Sequence, residues 1–196
     1  MKIAIINGHP REKSLSDGLT KAYADGAESA GAEVRTIFIR ELKFDATIDP
    51  TLADGLEPDL LKAQEIISWS HHLCFISPTW WTGVPALMKG FIDRTFSSGW
   101  AFKYQARGFP KGLLTGRSAR MIHTIGAPKL YNFWFQGKPQ VRMVRDGVLK
   151  FCGFNPVKVT SFGGITKSFS EGAKLIDEAR KLGMGDSRNR SPSHKS

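Results

Sequence analysis

Five runs of apolar, β-type residues recur along the chain, with stretches of helical periodicity between them. Ile3–Ile6, Val34–Ile39, Leu73–Ile76, Ala119–Ile125 and Val157–Phe162 read as strands. Several are almost unbroken apolar runs, as expected of strands covered on both faces. Leu15, Leu19, Ala22, Tyr23, Ala27 and Ala30 form an apolar stripe at helical spacing. Gly31 is positioned to stop that helix. Leu60, Leu61, Ile66 and Ile67 predict a second helix. Val84, Leu87, Met88, Phe91, Ile92 and Phe96 predict a third, with Thr82 or Gly83 as its cap and Pro85 in its first turn. Val141, Val144, Val148 and Phe151 predict a fourth, and Leu175, Ile176, Ala179 and Leu182 a fifth.

Five strands alternating with five helices point to an α/β fold, a doubly wound five-stranded parallel sheet with helices on both faces. Residues 1–182 hold this pattern as one domain. Residues 183–196 have one apolar side chain, Met184, and read as a polar C-terminal tail. Ligands of such sheets bind beyond the carboxyl ends of the strands, where the strand order reverses. The loops after Ile6, Ile76, Ile125 and Phe162 are therefore the ones to inspect.

Composition narrows the classes. With 41% hydrophobic residues the chain can form an ordinary core. Cys74 and Cys152 lie in apolar runs and read as reduced core thiols, and two cysteines supply neither a CxxC pair nor a metal-ligand spacing. No metal site is expected; His71-His72 lacks acidic or cysteine neighbours in sequence. No segment is long and apolar enough to span a bilayer, and Met1–Ile6 reads as a first strand rather than a signal peptide, so a soluble, cytoplasmic protein is expected. The net charge of +10 is spread along the chain without a basic–aromatic run. It points to small anions such as phosphorylated cofactors rather than to nucleic acid.

The first loop, Asn7 to Ser16, brings His9, Arg11 and Lys13 to a helix start that carries Ser14 and Ser16. Unpaired N–H groups and the positive dipole end favour a phosphate there. A merely capped helix with a polar entry loop is the alternative. The loop lacks both G-x-G-x-x-G and G-x-x-x-x-G-K-[ST], which disfavours a dinucleotide fingerprint and an NTPase. No G-x-S-x-G elbow marks a hydrolase. The second loop, Ser77 to Pro85, carries the adjacent tryptophans Trp80 and Trp81. They either close the end of the core or stack against a flat ring system. His123, in the fourth strand, faces either core or cleft. Asp93-Arg94 reads as an ion pair closing the third helix.

The segment Pro78-Thr79-Trp80-Trp81-Thr82-Gly83-Val84-Pro85-Ala86-Leu87-Met88-Lys89-Gly90-Phe91-Ile92-Asp93-Arg94-Thr95-Phe96 closely resembles the signature of the NAD(P)H:quinone oxidoreductase (DT-diaphorase-like) family of the flavodoxin-like fold. Lys150-Phe151-Cys152-Gly153-Phe154 resembles that family's His-Phe-Cys-Gly-Phe, and His9 with Ser14-Leu15-Ser16 its first loop. The likeness covers about residues 1–182.

The resemblance implies a non-covalent flavin: FMN, with FAD as the alternative. The chain lacks the long C-terminal extension of the mammalian FAD enzymes, which favours FMN. It further implies NAD(P)H as hydride donor, two-electron reduction of quinone-like acceptors, and a homodimer. His9, Ser14, Leu15 and Ser16 would hold the phosphate and ribityl region. Pro78, Thr79, Trp80 and Trp81 would line the isoalloxazine. Thr124, Ile125, Gly126 and Ala127 would approach its N1–C2 edge, where Tyr131 would donate a hydrogen bond as the catalytic candidate or serve only as a partly buried aromatic. The family's mammalian members have a histidine six residues after that tyrosine; here the position is Gly137. The Tyr–His proton relay therefore does not carry over. Two other roles remain open: a flavodoxin-type electron carrier, against which the basic charge speaks, and a regulatory flavoprotein subunit of a membrane transport system.

Overall fold

The computed structural model describes residues 1–47, 55–126, 137–164 and 169–188. β1 (Lys2–Asn7) leads into α1 (Leu15–Ser29), followed by β2 (Glu33–Phe38), a short 3-10 turn (Ile39–Glu41), α2 (Pro58–Trp69), β3 (His72–Pro78) and α3 (Ala86–Thr95). A two-stranded hairpin, β4 (Phe102–Lys103) and β5 (Lys111–Gly112), precedes β6 (Ser118–Thr124). A helix, α4, opens over Pro139–Val141 and continues with π-type bonding over Arg142–Lys150; β7 (Val157–Phe162) and α5 (Phe169–Arg188) complete the described chain.

The main sheet is parallel throughout, in the order β2-β1-β3-β6-β7. This is the doubly wound order of the flavodoxin-like type, with its switch between β1 and β3. Alternation along each strand divides the interior into two layers. Ile3, Ile5, Cys74, Ile76, Ile122 and Phe162 pack with Leu19, Tyr23 and Ala27 of α1 and Ala179 of α5. Ala4, Ile6, Leu73, Phe75 and Met121 pack with Leu60 and Ile67 of α2, Met88 and Phe91 of α3, and Val144 and Leu149 of α4. Each of the fully buried Val, Leu, Ile, Phe and Met side chains among these contributes roughly 1.5–3 kcal/mol through burial.

Local sequence explains most element ends. Ser14 caps α1, and Asp17 completes a capping box by accepting from the Ser14 N–H. Gly31, at φ +82°, closes that helix. α3 departs from expectation. Pro85 is its cap residue, while Thr82 and Gly83 belong to the turn before it. Asp93 and Arg94 do not pair with each other. Asp93 binds Lys89 at 2.6 Å, and Arg94 binds Glu57 at 2.8 Å. The β4–β5 hairpin was not expected.

The C-terminal boundary also moves. Gly183 does not begin a tail, because α5 runs on to Arg188 and Asp186 is buried. Gly183 is there for contact. A Cβ at that position would lie 2.0 Å from the Tyr23 carbonyl oxygen, and one at Gly26 of α1 would lie 2.0 Å from that of Arg180. Two glycines thus let α1 and α5 cross backbone to backbone. Both cysteines are buried and unpaired, and burial pushes the Cys152 thiol up to about 12. Among the described residues no helix is long and apolar enough to cross a membrane.

Candidate functional site

β1 delivers its chain to α1 on one face of the sheet, and β3 delivers its chain to α3 on the other. Their loops therefore part at the switch point and leave a crevice between them. Gly8 carries the first loop across β3: its N–H donates to the Ile76 carbonyl at 2.8 Å, and a Cβ there would meet Met88 Sδ at 2.3 Å. His9 then reaches the second loop. Its ring meets Trp80 edge-on, with centroids 5.7 Å apart.

The first loop is tightly organised. The His9 N–H donates to Asn7 Oδ1 at 2.9 Å, and the ring Nδ1 accepts from the Arg11 N–H at 3.0 Å. Burial lowers the His9 pKa, against the opposing effect of the Arg11 backbone. Ser16 is buried, and Ser14 and Leu15 are half-buried. The Ser14 hydroxyl accepts from the Asp17 N–H at 3.3 Å, and Asp17 Oδ2 accepts from the Ser14 N–H at 3.1 Å. An α-helix leaves its first N–H groups without intrahelical partners, here those of Leu15 and Ser16, and the Ser14 hydroxyl keeps a proton to donate. That donor set, beside Arg11 and Lys13, fits a phosphate.

The second loop is a two-residue turn. Trp80 and Gly83 exchange backbone hydrogen bonds of 3.0 and 2.9 Å, and the central residues Trp81 and Thr82 are both left-handed, at φ +49° and +62°. Such turns ordinarily use Asn-Gly. Two side-chain-bearing residues in this conformation cost about 1 kcal/mol each. The effect is to hold the Trp81 indole wholly outside the core: it is 100% exposed, and Trp80 is 45% exposed. Neither tryptophan closes the core.

Behind that turn lies a buried polar relay. Thr79 Oγ1 contacts His123 Nδ1 at 3.2 Å and donates to Gln140 Oε1. His123 Nε2 is 2.7 Å from Ser161 Oγ, and Gln140 Nε2 donates to Ser77 Oγ and the Pro78 carbonyl, each at 3.4 Å. His123 thus faces the core behind the cleft rather than the cleft itself. Burial, with Lys138 adding to it, lowers its pKa to about 4, so the ring is neutral near pH 7. The ends of β3, β6 and β7 are further tied by Thr79 N–H to Thr124 O and Ile125 N–H to Phe162 O, both 2.7 Å.

The fold therefore brings His9, Ser14, Leu15, Ser16, Pro78, Thr79, Trp80, Trp81, Thr124, Ile125 and Gly126 to the carboxyl end of the sheet. Gly126 is exposed, and a Cβ there would meet nothing within 4 Å. Ala127 and Tyr131 lie outside the described residues. Sequence reading missed Gln140, Asn7, Asp17 and Arg40. Of these only Asp17 left a local signal, the Ser-x-x-Asp capping pattern. His72, read as lacking acidic neighbours, has Asp186 Oδ2 at 3.5 Å, supplied by the far end of the chain.

A family model described as a flavodoxin-like fold matches residues 1–182. The chain belongs to that family. This flavodoxin-like chain is 27% identical over 195 residues to an uncharacterized NAD(P)H oxidoreductase of Haemophilus influenzae, covering 94% of the chain and 90% of the relative. It is 30% identical over 113 residues to the FMN-dependent NADH:quinone oxidoreductase 2 of Listeria innocua, covering 55% and 50%. Some curated relatives are longer: the chain spans 59% of a ribosyldihydronicotinamide dehydrogenase-like protein of Penicillium crustosum. Among solved structures, Smu.1420 of Streptococcus mutans superposes with a TM-score of 0.84 at 30% identity, over 94% of this chain and 100% of that one.

Proposed function

We propose that the chain is an NAD(P)H-dependent flavin oxidoreductase that reduces quinone-like acceptors by two electrons, in alternating half-reactions, with FMN as cofactor. The observation that carries this is the meeting of His9 and Trp80 across the switch point. It joins a phosphate-type helix start to an aromatic wall on one crevice. The likeness to relatives named NAD(P)H oxidoreductase and FMN-dependent NADH:quinone oxidoreductase supports the reaction and the cofactor.

FMN, when bound, supplies the hydride chemistry. The chain supplies position and surroundings. Ser14, Leu15 and Ser16 hold the phosphate with helix-end donors, and His9 borders the ribityl region. Pro78, Thr79, Trp80 and Trp81 would line the ring system, and the relay through His123 and Gln140 fixes Thr79 in place. Gly126 and Ala127 offer backbone N–H groups to the polar edge, where they favour negative charge, and Thr124 and Ile125 bring the loop to that edge. Tyr131 donates a hydrogen bond at that edge. With Gly137 in place of the family histidine, water carries the proton. The exposed Trp81 indole is an apolar surface for the nicotinamide and the acceptor in turn.

The flavin-binding unit on this reading runs from residue 1 through Arg188. We infer a homodimer and a cytoplasmic location. The aromatic segment 133–135, a contact candidate, lies outside the described residues; the exposed rings of Tyr104 and Phe109 offer further apolar surface for a second copy. Gel filtration at micromolar concentration is expected to give the dimer. Purified protein is expected to carry or take up FMN and to oxidise NAD(P)H in the presence of a soluble quinone. Protein that stays colourless after incubation with FMN and FAD contradicts the reading.

A further inference from the structure

The start of α1 contains a conflict. Asp17, its third residue, stabilises the helix by accepting from the Ser14 N–H and by favouring the positive dipole end. The same box places a carboxylate beside Ser14, where the proposed phosphate would sit. Two anions on one helix end repel each other.

A cation is built in behind them. Arg40 follows β2, and β2 pairs with β1, so the residues after the two strands are neighbours. Arg40 Nη1 donates to Asp17 Oδ1 at 2.8 Å, and Asn7 Nδ2 donates to the same oxygen at 2.8 Å. Asn7 is oriented in turn by Thr20 Oγ1 at 3.1 Å. The Arg40 guanidinium lies over the Phe38 ring at 4.6 Å, and only 13% of its side chain is exposed. Its Nε is buried without a hydrogen-bond partner. Glu41, the other acid near it, is 3.7 Å from Nη2 and largely exposed, so Asp17 takes the closer and better shielded pairing. Hydrogen bonds from the Ser14 backbone and from Arg40 keep the Asp17 carboxyl ionised below its ordinary range, against the opposing effect of burial.

Resting on the flavin reading above, we propose that Arg40 is a positioning residue of the phosphate subsite. It cancels the Asp17 charge, so the helix end can keep its capping box and still accept an anion. The pair makes the site selective for a phosphorylated flavin over an unphosphorylated one.

The test titrates the full chain with FMN and, separately, with riboflavin, which has the same ring and no phosphate, following flavin fluorescence. Arg40→Gln is expected to weaken FMN about tenfold or more relative to riboflavin. Adding Asp17→Asn to it is expected to restore the wild-type FMN-to-riboflavin ratio, and Arg40→Lys, which keeps the charge, to preserve most of it. A merely structural role would weaken both flavins together. Overturning results are an unchanged ratio in Arg40→Gln, or a double variant as poor for FMN as the single one. Should Arg40→Gln not fold, Arg40→Lys and the double variant still decide, because a ratio below wild type in both overturns the proposal. Wild-type protein that binds neither flavin overturns the proposed function and this inference with it. Wild-type protein that binds FMN, with an unchanged ratio in the variants, overturns only the inference.

Discussion

The two ends of the sheet solve the problem of buried polarity differently. At the amino end, under α1 and α5, Asp186 receives Arg120 through two N–H groups, the Tyr23 hydroxyl at 2.9 Å, and has His72 Nε2 and Lys158 Nζ each at 3.5 Å. At the carboxyl end, under α4, His123, Gln140, Thr79 and Ser161 form a relay of neutral groups. The first is an ionic clamp that fastens the last helix to the sheet. The second holds a loop in place without putting a net charge behind the crevice. On the reading proposed above, the charged groups that would face an anionic cofactor sit on the opposite loop, at Arg11 and Lys13.

The largest expected effect comes from unbalancing the clamp. Asp186→Ala leaves the Arg120 guanidinium buried and unpaired, and is expected to cost about 3–5 kcal/mol in urea unfolding. The same experiment on Gln140→Leu is expected to cost less, since no charge is stranded; an equal cost would erase the distinction drawn here.

Acid should separate the two regions by pH window. The His123 pKa is lowered by burial to about 4, so the unfolded chain binds the extra proton first. Stability is therefore full above about pH 6.5 and declines as the pH falls towards 4, by about 3 kcal/mol in all. Burial pushes the Asp186 carboxyl up, but Arg120 and His72 outweigh it and hold it well below the ordinary range. Its contribution is present above about pH 4 and is lost only as the pH falls further. His123→Gln should remove most of the upper stage, leaving the small part due to His9, and spare the lower one. Denaturant midpoints measured from pH 8 to pH 3 check this, and an upper stage that persists in full would assign it elsewhere.

Gly183→Ala probes the clamp from the side of shape. The new Cβ must displace the Tyr23 carbonyl or separate α1 from α5, a loss of about 1–3 kcal/mol by urea unfolding. Trp81→Ala is the smallest in stability. The indole is fully exposed, so the change should stay within about 0.5 kcal/mol while kcat/KM for a quinone drops. A large loss of stability with activity intact would make the indole structural instead.

The inner strands β1 and β3 were legible because buried parallel strands are written as nearly unbroken apolar runs, and the edge strands β2 and β7 because β-branched and aromatic residues recur along them among polar ones. β4 and β5 were not, since two residues each carry no period. Gly183 looks like the start of a chain end in sequence. It is read correctly only once α1 is known to cross there. Thr82 and Gly83 have capping chemistry, yet the left-handed turn at Trp81 and Thr82 takes them out of the helix. The loops of the site could be placed from strand ends alone. Arg40, Gln140 and Asp186 could not, because each matters through a partner remote in sequence, and residue type at one position says nothing about that partner.

The central claim is that the crevice between the first two loops holds FMN and passes electrons from NAD(P)H to a quinone. The most direct test is anaerobic: reconstitute the protein with FMN, add NAD(P)H and then quinone, and follow the bound flavin's absorbance. The account predicts bleaching by NAD(P)H and full recovery on adding quinone, with flavin retained throughout. Bound flavin that NAD(P)H leaves oxidised, or a chain that retains no flavin, would contradict it.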